Sequence, residues 1–104
     1  MDKETLYKLA KEYVDIVEVL REEYQDHVLE IKNKIYVKID LFNYLLEQKK
    51  FYSAQEKKKK WRDLQWIICD KDRGRYTKVV TINGELERRI VIQLEPFETL
   101  KYLK

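Results

Sequence analysis

The chain has 104 residues, of which 39% are charged and 44% hydrophobic, and its formal net charge at pH 7 is +3. This composition predicts one folded domain and excludes a disordered or multidomain chain. No apolar run is as long as a membrane span, and the N-terminus does not resemble a signal peptide. We therefore expect a cytoplasmic protein that does not cross a membrane.

The charge is sorted along the chain. Residues 1–31 have a balance of −5, whereas residues 32–104 have a balance of +8. Within the single domain 1–104 we therefore expect an acidic N-terminal element and a basic functional portion with a different role.

Apolar side chains recur every three or four residues from residue 4 to residue 25, which predicts an amphipathic helix. Val14 and Ile16 make its apolar face wider than one small core should need. We therefore predict that this helix forms a symmetric homodimer contact. A contact with another protein is the alternative.

From Val28 the apolar period changes to two, which is strand spacing. Either Asn33 turns the chain between two short strands, or the first part of the segment completes the helix. At least one strand is expected at 35–39. Asp40 is then predicted to cap a helix from Leu41 to Lys50, because its carboxylate can accept hydrogen bonds from free first-turn amides.

Ser53 and Glu56 have the spacing of a capping box, so a second helix is predicted after about three residues, as in a helix-turn-helix. A rotation of about 100° per residue puts Trp61 on the inner face of this helix, with Lys57 and Lys60 flanking that face. The outer face has four polar or basic side chains: Gln55, Lys58, Lys59 and Arg62.

A short strand at Trp66–Cys69, a charged loop at Asp70–Arg75 and a hairpin turn at Asn83–Gly84 follow. The hairpin has two candidate registers. A two-residue turn places Lys78 opposite Arg89, whereas a bulge at Gly84 places Lys78 opposite Arg88 and gives the cleaner apolar face. In both registers two cations oppose each other, which costs stability, so an anion is expected there. Beyond Pro96, residues 97–103 are predicted to form a final helical turn or two.

Catalysis and metal binding have little support. The chain has one histidine, His27, one cysteine, Cys69, and one serine, Ser53, which already has a capping role. A metal site needs three or four convergent ligands. A single cysteine excludes an intrachain disulfide and fits a reducing compartment. We therefore expect a protein that is not an enzyme and binds no cofactor or metal.

The basic side chains after residue 54 predict contacts with double-stranded DNA. Glutamine can read adenine in the major groove, lysine suits phosphate, and arginine fits a narrow minor groove. The predicted DNA-binding residues are Gln55, Lys58, Lys59, Arg62, Lys71, Arg73, Arg75, Lys78, Arg88 and Arg89. Three other interpretations stay open: the lysine run is a solvated face, residues 57–62 are a nuclear-localisation signal, or the arginines form weak surface pairs with nearby carboxylates.

From Ile35 onward the order of elements resembles that of winged helix-turn-helix DNA-binding proteins. The resemblance is carried by Asp40–Lys50, the basic helix from Ser53 to Arg62, Trp66–Cys69 and the Asn83–Gly84 hairpin, and it implies an α+β fold. The small size and the Lys-, Ile- and Tyr-rich composition are similar to the TcpK-type accessory DNA-binding proteins of conjugative plasmids. That similarity implies a dimer on repeats near an origin of transfer, in the relaxosome, with the β-wing as a major contact.

Other functions fit the same elements. A transcriptional regulator or a replication-initiation protein of winged-helix type would use the same surfaces. A protein-interaction adaptor or inhibitor is the alternative from another class, and its active surface would be the acidic N-terminal helix.

Overall fold

The computed structural model describes residues 2–70 and 76–103. Within these ranges the chain forms four α-helices and five strands, and every strand pair is antiparallel. In chain order the elements are α1 Lys3–Glu22, β1 Val28–Ile31, β2 Lys34–Val37, α2 Ile39–Leu46, α3 Ala54–Asp63, β3 Ile67–Ile68, β4 Lys78–Ile82, β5 Glu85–Gln93 and α4 Glu95–Leu100. Single 3₁₀ turns lie at Gln25–His27 and Lys101–Leu103. The predicted α+β class is confirmed.

Helix α1 is shorter at its C-terminus than its periodicity predicts. It begins after Asp2, whose carboxylate accepts a 2.7 Å hydrogen bond from the Thr5 amide, and it ends at Glu22. Val14 and Ile16 are buried in the core of the chain itself. The width of the apolar face is therefore explained by the fold, and dimerisation stays a prediction.

The segment after α1 forms two strands with Asn33 in the turn between them. The alternative, in which the first part of this segment completes the helix, is wrong. Ile31 pairs with Lys34, and the two residues between them, Lys32 and Asn33, have φ of 50° and 66°. Two consecutive positive φ values are typical of the tightest hairpin turns, and asparagine tolerates them well.

The prediction that Asp40 caps α2 is wrong. Lys38 is the N-cap residue, and α2 runs from Ile39 to Leu46 instead of ending at Lys50. The helix begins earlier because Ile39 packs against the core. Asp40 lies in the first turn, where its negative charge still favours the helix dipole.

Strand β5 is the centre of the sheet. Its C-terminal half lies between β2, through Ile35 and Ile92, and β3, through Ile67 and Ile92. Its N-terminal half pairs with β4, and the Asp70 amide donates a 3.1 Å hydrogen bond to the Thr77 carbonyl where β4 follows β3. The short strand predicted at Trp66–Cys69 is confirmed in its central two residues.

The β4–β5 hairpin adopts the two-residue turn, so the register with a bulge at Gly84 is wrong. Ile82 pairs with Glu85, and Asn83 and Gly84 have φ of 53° and 83°. Both turn residues tolerate positive φ, so the strands close without an extra residue. Lys78 consequently lies opposite Arg89.

The core lies between α1–α3 and one face of the sheet. Four rings pack at its centre with centroid separations of 5.0 to 5.8 Å: Tyr13, Phe42, Trp61 and Trp66. Such tilted and edge-on pairs add to the stabilisation from apolar burial. None of the helices in the described ranges is both long and apolar enough to cross a membrane.

Candidate nucleic-acid interface

Helix α3 begins where the capping box predicts. The Ser53 Oγ atom accepts a 3.1 Å hydrogen bond from the Glu56 amide, and the hydroxyl is 3.1 Å from the Glu56 carboxylate. The glutamate therefore accepts from the cap hydroxyl rather than from the cap amide. This start fixes the rotation of the helix, and so decides which lysines face the core.

Lys57 is fully buried, so the prediction that it flanks the inner face of α3 is wrong. The Lys57 Nζ atom lies 2.7 Å from Glu12 Oε2 and donates 2.6 Å hydrogen bonds to the carbonyl groups of Leu46 and Lys49. It also lies 4.3 Å from the centroid of the Phe51 ring. These contacts join α1, the end of α2 and α3, so Lys57 anchors the inner face of α3.

Glu12 supplies the negative charge that compensates the buried positive charge of Lys57. It is 1% exposed, and burial raises the pKa of its carboxyl although Lys57 acts in the opposite direction. Its other oxygen, Oε1, has no hydrogen-bond partner among the described residues. Sequence reasoning missed this pair, although Glu12 lies on the apolar face of α1 between Leu9 and Ile16.

The outer face of α3 is linked to the start of the hairpin. Lys58 Nζ donates a 2.9 Å hydrogen bond to Asn43 Oδ1, and partial burial lowers its pKa. Both Lys58 and Arg62 lie over the Tyr76 ring, with their charged groups 6.0 and 5.1 Å from its centroid. Tyr76 precedes β4, so these contacts place α2, α3 and the hairpin beside one another.

Gln55 and Lys59 are the most open side chains of this face. Both are exposed, and neither has a hydrogen bond or an ion pair with another residue in the ranges 2–70 and 76–103. Lys60 differs, since its Nζ lies 4.9 Å from the centroid of the Tyr52 ring. Gln55 and Lys59 are therefore available to a partner.

The two arginines of the hairpin point to opposite sides of the sheet, as adjacent strand residues do. Arg88 shares the core-facing side with Ile90 and lies 3.3 Å from Thr77 Oγ1 and 3.9 Å from Asp70 Oδ2. Arg62 contacts Tyr76, and Arg88 contacts the next residue, Thr77, so both arginines lie near the start of β4. Arg89 faces the other side.

The structure thus divides the predicted DNA-binding residues. Five lie on the helix side, which we call the α3 surface: Gln55, Lys58, Lys59, Arg62 and Arg88. Lys78 and Arg89 lie on the outer face of the hairpin. Lys71, Arg73 and Arg75 fall outside the described residues.

Groups with other chemistry are scattered. Cys69 is half-buried, and burial raises the pKa of its thiol, which disfavours the reactive thiolate. Among the described residues, no group of His, Cys, Asp or Glu side chains is arranged to hold a metal ion.

Comparison with protein-family models and with curated proteins gives no match for this chain. The described side chains themselves therefore carry the functional conclusion.

Proposed function

We propose that this chain is a winged helix-turn-helix protein that binds double-stranded DNA at specific sequences. In this proposal α2 and α3 form the helix pair, α3 enters the major groove, and the β4–β5 hairpin is the wing. The order of elements supports it: one helix, the β1–β2 pair, a helix pair, β3, and a hairpin whose last strand, β5, lies between β2 and β3. Recognition helices of this class contact base edges with residues near their N-terminus.

The observation that carries the proposal is that α3 has one face buried in the core and an opposite face that is exposed and basic. Lys57 and Trp61 hold its inner face in the core, while Gln55 and Lys59 face outward beside Arg62. A rigid helix with an exposed basic face suits phosphate contacts, and Gln55 in its first turn suits an adenine edge.

The hairpin contributes less positive charge than its sequence suggests. Its described part has Glu85 and Glu87 as well as Arg88, and Arg89 faces away from α3. We therefore propose that the wing contacts come from Arg88 and from the basic residues that precede the hairpin in the sequence, Lys71, Arg73 and Arg75.

We further propose that the chain acts as an accessory protein at an origin of transfer, on the resemblance to plasmid proteins of this type. A transcriptional regulator or a replication-initiation protein would use the same α3 surface. Footprinting on the DNA that flanks its own gene distinguishes these processes.

We also propose that the chain binds DNA as a homodimer, since paired wings read neighbouring half-sites. Leu6 and Tyr7 of α1 are 40% and 47% exposed. Light scattering should then give a mass near twice 12.8 kDa. A monomer both free and on DNA would contradict this part of the proposal.

The test of DNA binding is a salt titration with a labelled short duplex, followed by fluorescence anisotropy. The logarithm of the affinity should fall by about 0.9 per phosphate contact for each tenfold rise in salt. No binding at about 100 mM salt, or a flat dependence, contradicts the proposal. A protein-interaction role for the acidic α1 would then explain the chain better.

A further inference from the structure

A pocket lies on the outer face of the sheet, away from the α3 surface. Its volume is about 230 Å³, and it lies between the residues before β1, the start of α2 and the tip of the hairpin. Its polar lining consists of Asp26, His27, Lys38, Asn83 and Arg89. Since a water molecule occupies about 30 Å³ of liquid, the pocket has room for a tetrahedral oxyanion.

Arg89 is a buried cation with unused hydrogen-bonding capacity. Its side chain is only 8% exposed, yet its guanidinium Nη2 lies 3.3 and 3.4 Å from the two oxygens of Glu87. These distances exceed the roughly 2.7–2.9 Å of strong charge-assisted hydrogen bonds. The Nε atom is buried and has no hydrogen-bond partner among the described residues. A buried charge that is paired this weakly is destabilising, and a closer negatively charged partner would stabilise it.

Further positive charge surrounds Arg89. Lys78 lies directly opposite it across the hairpin, and Lys38 lines the same pocket. Three carboxylates share this side: Asp26 lines the pocket, Glu87 contacts Arg89, and Glu85 lies on the same hairpin face as Glu87 and Arg89. Like charges opposed across a hairpin destabilise it, and a bound anion would relieve that repulsion.

We propose that this pocket binds a phosphate-type oxyanion. Arg89 and Lys38 supply the charged contacts, and the Asn83 side-chain amide supplies a neutral donor. Glu87 is partly exposed and can turn toward solvent when the anion takes its place beside Arg89. The anion is either a backbone phosphate of bound DNA or a free phosphate monoester. The site does not depend on duplex binding by α3.

The experiment is an NMR titration of the ¹⁵N-labelled full chain with inorganic phosphate at constant ionic strength, read at the Arg89 Nε–H resonance. This resonance and the amides of His27 and Asn83 should shift and saturate at millimolar phosphate. Arg89→Gln and Lys38→Gln should each weaken binding about tenfold or more, since each removes a charged hydrogen bond. Lys11→Gln is the matched control, because it removes one exposed lysine from α1, which does not line the pocket, and its phosphate affinity should stay within about twofold.

Two results would overturn the proposal. The first is a shift that does not saturate, or that chloride reproduces at the same ionic strength. The second is an equal loss in Lys11→Gln and Lys38→Gln, which would mean general charge attraction. Lys38 is exposed and its side chain makes no capping hydrogen bond, so Lys38→Gln keeps the test decisive if Arg89→Gln fails to fold.

Duplex binding by the same variants identifies the source of the anion. If Lys38→Gln lowers duplex affinity and reduces the salt slope by about one, the anion is a backbone phosphate. If it leaves duplex affinity unchanged but loses inorganic phosphate, the site takes a free phosphate monoester. Phosphate binding in a chain that binds no duplex at all would contradict the proposed DNA function and leave this site standing.

Discussion

The inner and outer faces of α3 place the same residue type in opposite environments. Lys57 is buried and makes three hydrogen bonds, whereas Lys59, two positions later, is exposed. Because each helical residue advances by about 100°, two positions are enough to turn a side chain from the core to solvent. Counting lysines along the sequence therefore overstates the positive charge on the surface. Glu12 of the acidic helix α1 pairs with Lys57 of α3, so the acidic and basic parts of the chain share one core.

The largest effect should follow loss of the inner lysine. Lys57→Met leaves the Glu12 carboxylate unpaired in the core, and we expect it to lower the free energy of unfolding by about 3–5 kcal/mol, measured by urea denaturation. The double variant Glu12→Leu with Lys57→Met should recover most of this loss, because an apolar pair leaves no buried charge. A single variant as stable as the wild type would mean that Lys57 does not anchor α3.

The next largest effect concerns specificity on the α3 surface. Arg88→Ala should reduce the favourable free energy of binding to a duplex selected for tight binding by about 1–3 kcal/mol, because arginine makes planar, bidentate contacts with bases. On a scrambled duplex the same variant should lose much less. Equal losses on both duplexes would make Arg88 a phosphate contact only.

A smaller effect is the difference in pKa between a buried carboxyl group, that of Glu12, and an exposed one, that of Glu98. Burial raises the pKa of Glu12 above its ordinary value of 4.5, whereas the hydrogen bond from Lys101 lowers the pKa of Glu98. The contribution of Glu12 to stability is therefore fully present below its unfolded pKa and is lost as pH rises through its folded pKa. The contribution of Glu98 is present above its unfolded pKa and is lost as pH falls through its folded pKa.

Carboxyl ¹³C titrations of both residues measure these directions. The midpoint for Glu12 should lie above the midpoint for Glu98. A Glu12 midpoint at or below that of Glu98 would contradict burial as the main influence on the Glu12 pKa, because it would require a carboxylate that is well solvated or more strongly paired than the structure shows.

Local signals predicted much of the fold. Ser53 starts α3 because its hydroxyl satisfies a free amide, and Asn83–Gly84 turns the hairpin because both residues tolerate positive φ. The outer face of α3 also follows from helical rotation alone. These features depend on neighbours within a few residues, so the sequence contains their causes.

Features decided by distant residues were not predictable in this way. Lys57 and Glu12 are 45 positions apart, and only the packing of α1 against α3 brings them together. Helix α2 begins at Ile39, which is partly buried against the core, and not after Asp40 as its capping preference predicts. The pairing of Lys78 with Arg89 required the hairpin register, for which two candidates were open.

The most direct test of the central claim compares Lys59→Gln with Lys11→Gln. Both variants remove one exposed lysine, the first from the outer face of α3 and the second from α1. Both should keep the stability of the wild type within about 0.5 kcal/mol. Only Lys59→Gln should weaken duplex binding and lower the salt slope by about one. Equal slopes for the two variants, or a larger loss in Lys11→Gln, would contradict the assignment of DNA binding to the outer face of α3.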